Sequence, residues 1–188
     1  MNRKDAWNLL CEFTQTDSLR KHALAVEYAI RTYARRYGED EELWGVVGLV
    51  HDFDYGQNPT VPEHTAVGAT IMRERGWPEE IVIAMLSHAD YSGVPRTTTM
   101  HKALAAVDEL TGLIAAVALV RPTKNIADVT VKSVKNKWKD KAFAAGVNRQ
   151  EIEHCAADLG VPLEEHIGVV LAALQEHAVE LGLDGIKA

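Results

Sequence analysis

The chain has 188 residues, 47% of them hydrophobic and 25% charged, which is enough for one globular domain with a sizeable buried core. Its formal net charge of -7 argues against general nucleic-acid binding by the whole surface. The cysteines, Cys11 and Cys155, form no Cys-x-x-Cys pair and no disulfide framework, so a reducing compartment fits.

Residues 1–5 are polar and lead only into a short apolar patch, without the apolar core of a signal peptide. Asp5 opens a first short helix that runs through Phe13. Asp17 reads as the N-cap of a second helix, and Gly38 closes it. Leu19, His22, Ala23, Val26, Ile30 and Tyr33 fall on one face of that helix. Asp40 caps a third, with Leu43, Val46, Val47 and Val50 as its apolar stripe, and it ends at His51-Asp52. Residues 53–62 are a loop marked by Gly56, Asn58, Pro59 and Pro62. Pro62 suits the first turn of a helix through Arg75. Pro78 starts another, which carries Ile81, Val82, Met85 and His88. A loop over 90–95 precedes a long helix over about 99–120, stopped by Arg121-Pro122. One or two shorter helices are expected over 127–145, a further one capped by Asn148, and a last one from Pro162 to about Leu181.

No alternating strand stands out, and no repeat or linker divides the chain. The longest apolar stretch, 113–120, is too short to span a bilayer. The expectation is a cytoplasmic, all-α, single-domain bundle over 1–188 with about eight to ten helices. Residues of about 17–120 would form its motif core, and 121–188 a helical extension packed on it.

The informative feature is where the ionisable residues fall. His22 lies three after Leu19 and four before Val26, His51 four after Val47, His88 four after Ala84, and Asp108 four after Leu104. Three histidines and one aspartate thus point into a core from four helices. A lone buried carboxylate costs several kcal/mol, and a shared divalent cation removes that cost for all of them. His64, in the first turn of the Pro62 helix, and Asp52 complete a set of six. Six ligands suit two ions with Asp52 bridging: His22, His51, Asp52 and Asp108 on the first, Asp52, His64 and His88 on the second. The ligand types do not separate Mn, Fe, Co, Ni, Zn and Mg.

This ordered set resembles the HD-domain superfamily of metal-dependent phosphohydrolases, over about residues 22–112. Its pattern of His, then His-Asp, then a distant Asp is matched by His22, His51-Asp52 and Asp108, within Gly48-Leu49-Val50-His51-Asp52 and Ala105-Ala106-Val107-Asp108-Glu109-Leu110. The resemblance implies an α-helical bundle of the HD-domain type, one or two divalent metal ions, and hydrolysis of a phosphate ester, often of a nucleotide. His64 and His88 resemble the extra ligands of dinuclear members. The branch that hydrolyses cyclic dinucleotides is disfavoured. It usually has a Lys soon after the His-Asp pair, two adjacent His later and a Gly-Tyr-Pro element, where this chain has Tyr55, His88-Ala89 and Gly93-Val94-Pro95. A second branch, the di-iron oxygenases, shares the ligand order and is an alternative function. A catalytically silent metal-binding regulatory module is another.

On the hydrolase reading, Asp52 holds the metal, and Asp54, two residues on, accepts the proton of the attacking water. Lys21, Arg96, Arg121 and Lys124 are candidate phosphate contacts, although Lys21 is rotated by about 100° from His22. His101 is expected to be a core or supporting residue. The basic stretch 132–141 is not confined to one helical face and reads as solvated surface. The expected partner is a small phosphorylated substrate, with no membrane or nucleic acid; self-association is compatible with the sequence.

Overall fold

The computed structural model describes residues 1–186; the last two residues of the expected domain, 187 and 188, lie outside the described residues. Among the described residues ten α-helices follow one another: α1 (Arg3–Phe13), α2 (Asp17–Tyr37), α3 (Glu41–Val50), α4 (Glu63–Glu74), α5 (Glu79–Ser87), α6 (Thr99–Leu119), α7 (Val131–Trp138), α8 (Arg149–Asp158), α9 (Leu163–Glu176) and α10 (Ala178–Leu181). No strand occurs among the described residues, only an isolated bridge between Asn125 and Asp184. None of the described helices is long and apolar enough to cross a membrane.

The boundaries follow the capping chemistry. The Asp40 carboxylate accepts from the amides of Glu42 and Leu43 and starts α3. Gly38 ends α2 at a φ of 71°, where a Cβ would be strained. Asn148 caps α8, and Thr130 and Ser133 form a reciprocal capping box at α7. Asp17 is the first residue of α2 rather than its cap; Thr16 holds the cap position without a side-chain hydrogen bond.

One departure matters for function. The helix expected from Pro62 is broken at its start: His64 is extended (ψ 141°) and Thr65 is left-handed (φ 63°). A β-branched residue in that region is strained, so the surrounding structure must hold it there.

The main core cluster runs from Ala6 to Leu183 and takes residues from α1–α10, with a small second cluster of Ala105, Ala106 and Cys155. The α2 and α3 backbones approach closely at Gly48, where an added Cβ would lie 2.9 Å from the Glu27 Cα. Buried Glu27 is matched by Arg3 at 2.7 Å and Arg31 at 2.9 Å. His166 of α9 donates from Nε2 to the Ala106 carbonyl at 2.8 Å and accepts the Tyr33 hydroxyl at Nδ1 at 2.6 Å, which fastens α6 to α2 and α9. The Thr14 hydroxyl donates to the Phe53 carbonyl at 2.9 Å and pins the loop after His51-Asp52. Those contacts place α2, the end of α3, the start of α4, the end of α5 and the middle of α6 around one polar centre.

Candidate metal centre

Two clusters of ligating atoms sit side by side. His22, His51 and Asp108 form one, and Asp52, His64 and His88 the other; within each, the ligand atoms lie within 4.8 Å of one another. Asp52 faces both. Its Oδ1 lies 3.0 Å from His64 Nε2 and 3.1 Å from His88 Nε2, and its Oδ2 lies 3.6 Å from His51 Nε2. Asp108 Oδ1 lies 3.0 Å from His22 Nε2 and 3.4 Å from His51 Nε2.

All four rings are held the same way round. His51 Nδ1 donates to the Gly48 carbonyl at 2.8 Å, and His88 Nδ1 donates to the Met85 carbonyl. His64 Nδ1 donates to Asp54 Oδ1 at 3.1 Å. His22 Nδ1 faces the Thr111 hydroxyl at 3.4 Å, and that hydroxyl donates to the Asp108 carbonyl at 2.7 Å. With a proton on each Nδ1, each Nε2 is the nitrogen left to face a carboxylate oxygen, through a second proton or a shared cation. This is the arrangement of metal-ligating histidines, whose outer nitrogen is fixed by a carbonyl or carboxylate.

The buried His51 Nε2 and the Asp52 Oδ1 have no hydrogen-bond partner. The close approaches of Asp52 Oδ1 to His64 and His88 meet the distance of a hydrogen bond but not its direction. Ring nitrogens and carboxylate oxygens at such range require a positive charge among them, a proton or a cation, and imidazole nitrogen with carboxylate oxygen is a donor set for a divalent transition ion. The residues present therefore fit a metal.

The electrostatics agree. Burial acts to lower the His51 pKa, but the carboxylates of Asp52 and Asp108 outweigh it and raise it to about 9. Burial likewise opposes protonation of His64, which Asp52 and Asp54 raise to about 9. Burial alone would raise the Asp52 and Asp108 carboxyls. His51, His64 and His88 hold Asp52 well below its ordinary value, and His51 and His22 do so for Asp108. Two carboxylates are thus kept ionised in a largely enclosed site, ready to bind a cation.

A family model described as HD domain matches residues 19–117. The chain belongs to the HD domain family. No curated protein matches its sequence. Among solved structures, the HD domain of the L. monocytogenes phosphodiesterase PgpH is similar in fold, with a TM-score of 0.55 at 15% identity, covering 93% of this chain and 98% of that one. The all-α architecture expected from helical periodicity is that of the HD domain.

Around the HD centre the other expected residues fall differently. Asp54 is fully buried, and both oxygens of its carboxylate are engaged. Oδ1 accepts from His64, and Oδ2 accepts the amides of Thr65 at 3.1 Å and Gly68 at 3.0 Å. It is not placed to receive a proton from a water in the cavity, and instead it holds the strained start of α4 and with it His64. Arg96 is also committed. It donates to the Ser87 carbonyl at 2.9 Å and the His88 carbonyl at 2.8 Å, and pairs with Asp90 at 2.7 Å. It closes the end of α5 rather than facing a phosphate.

Lys21 pairs with Asp17 at 2.8 Å and lines a slot on the outer side of His22. Arg121 and Lys124 follow Asp108 by 13 and 16 residues. Arg121 lines a separate groove with Ser133 and Lys137, roughly 20 Å along α6 from Asp108 at 1.5 Å per residue. Neither is brought to the centre. His101 is buried on α6 and lines neither the cavity nor the slot. In the basic stretch, Lys135 pairs with Glu164 and Lys137 with Asp140.

A cavity of about 250 Å³ opens on the Asp52, His64 and His88 side of the centre. Tyr55 and Tyr91 stand beside His64, with ring centroids 5.1 and 6.2 Å from it. Glu109 and Glu151 also line the cavity. Burial, then Asp108 and Glu151, push the Glu109 carboxyl up to about 7. These four cavity residues were not among the expected site residues. Only the adjacency of Glu109 to Asp108 was a signal in the sequence.

Proposed function

We propose that this HD domain is a metal-dependent phosphohydrolase that cleaves a phosphate ester of a small molecule, with a nucleotide among the candidates. The observation that carries the reading is Asp52, whose two oxygens face the two histidine groups separately, so that it could serve an ion in each. Two divalent ions held by two ionised aspartates would leave a net positive centre, which would suit a phosphate dianion and supply an activated water. The activity in the name of the PgpH phosphodiesterase agrees with a phosphoester substrate.

The chain's own residues divide the work. His22, His51, Asp52 and Asp108 would hold one ion, and Asp52, His64 and His88 the other. Gly48, Met85, Thr111 and Asp54 fix the tautomers and orientations of the rings. Glu109 presents a carboxyl to the cavity and is the group positioned to move a proton to the leaving oxygen. Tyr55 and Tyr91 flank the entrance and would orient the ester.

The test is phosphate release from a panel of monoesters and diesters by protein loaded in turn with Mn, Fe, Co or Zn. Turnover that Asp52→Ala abolishes is expected. Oxygen consumption by the iron form with no phosphate released would replace this reading with the oxygenase branch.

A further inference from the structure

Arg96 stands between the end of α5 and α8, with only 11% of its side chain exposed. All three of its nitrogens are engaged. Nε donates to the Ser87 carbonyl at 2.9 Å and Nη2 to the His88 carbonyl at 2.8 Å. Nη2 also pairs with Asp90 at 2.7 Å and lies 3.9 Å from Glu151, while Nη1 donates to Cys155 Sγ at 3.3 Å.

These contacts converge on one ligand. The last carbonyls of an α-helix have no partner within it. At the end of α5 Ser87 and His88 are buried, and Arg96 supplies donors for both carbonyls. His88 is the residue whose Nε2 lies 3.1 Å from Asp52. Its ring is held at Nδ1 by the Met85 carbonyl, and the backbone that carries the ring is held by Arg96. Arg96 is braced in turn from α8 by Glu151 and Cys155, which lie outside the HD match at residues 19–117. The chain beyond the shared domain pattern thus reaches the centre through one guanidinium.

We propose that Arg96 is the positioning residue for the ion of Asp52, His64 and His88, acting through the backbone of His88. The proposal rests on the two-ion centre of the reading above, not on the reaction. A lysine keeps the charge but is a single point donor. It lacks the planar fork that spans two carbonyls and a carboxylate.

The test is calorimetric titration of metal-stripped wild type, Arg96→Lys and Arg96→Met with Mn or Zn, with melting temperatures measured alongside. Arg96→Met should weaken one ion of the two by about 10- to 100-fold, the range for partners that orient a ligating histidine. Arg96→Lys should fall between it and the wild type. In a His64→Ala background, which retains only the His22–His51–Asp108 ion, Arg96→Met should leave that ion's affinity unchanged.

A purely structural role would lower the melting temperature without favouring one ion. Unchanged affinity for both ions, or equal weakening of both, overturns the proposal. Should Arg96→Met not fold, Arg96→Lys decides alone: selective weakening supports the role, and wild-type affinity for both ions overturns it. A wild type that takes up fewer than two ions overturns the role together with the two-ion centre. Two ions bound with no phosphate released from any ester overturns the phosphohydrolase reading alone.

Discussion

His64 Nδ1 lies 3.1 Å from Oδ1 of the fully buried Asp54, whose other oxygen holds the amides of Thr65 and Gly68. One carboxylate therefore aims a ligand and caps the helix that carries it. Outer partners of ligating histidines typically contribute about 10- to 100-fold in metal affinity. Asp54→Ala should weaken one ion by that factor and leave the His22–His51–Asp108 ion in place. It should also destabilise the fold, because two buried amides lose their acceptor. Calorimetric titration with Mn or Zn reads the first effect; equal weakening of both ions would contradict the assignment.

Gly68 is the steric counterpart. A Cβ there would lie 2.9 to 3.1 Å from the Asp54 carboxylate atoms. Gly68→Ala must push that carboxylate, at a cost of about 1–3 kcal/mol for an overpacked interior. The same substitution at Gly112, where nothing lies within 4 Å, should stabilise the helix by about 0.5–1 kcal/mol. Denaturant midpoints of the two variants should move in opposite directions.

His64→Ala and His88→Ala each remove a ligand from one group only. Each should reduce the stoichiometry from two ions to one, while His22→Ala should spare the His64–His88 ion. Metal analysis after gel filtration decides this, and two ions retained in both His64→Ala and His88→Ala would reduce the centre to one cluster.

The pH dependence of the metal-stripped protein carries a distinct signature. His51 and His64 are raised from 6.5 to about 9 by their carboxylate neighbours, despite burial. A histidine with a raised folded pKa stabilises fully below its unfolded value, and that stability is lost as pH rises through the folded value. Stripped protein should therefore lose stability between about pH 6.5 and 9. Metal binding near neutrality should release protons from both rings, and affinity should rise over the same window. Titration in buffers of different ionisation enthalpy counts the protons; release of none would show that the ions bind elsewhere.

Much of this was legible in the sequence because helices announce themselves by period and caps. Asp40, Gly38 and Asn148 stand at helix ends for capping reasons. His22, His51, His88 and Asp108 were readable as inward-facing because the apolar residues around them fix the face. What was not legible depends on segments folding back. Nothing in the spacing of Asp54 says that it seals against the start of α4, since the break at His64-Thr65 is a tertiary effect. Glu151 reaches the cavity from α8, far along the chain. Arg121 and Lys124 follow Asp108 in sequence, yet a straight α6 carries them away from it.

The measurement that bears most directly on the account is the metal content of protein purified without chelators, for the wild type and Asp52→Ala together. Because Asp52 faces both histidine groups, the wild type should hold two divalent ions per chain, and the variant should lose both or retain one only weakly. Full occupancy in Asp52→Ala, or a wild type that takes up no ion from excess Mn, Fe, Co or Zn, would contradict it.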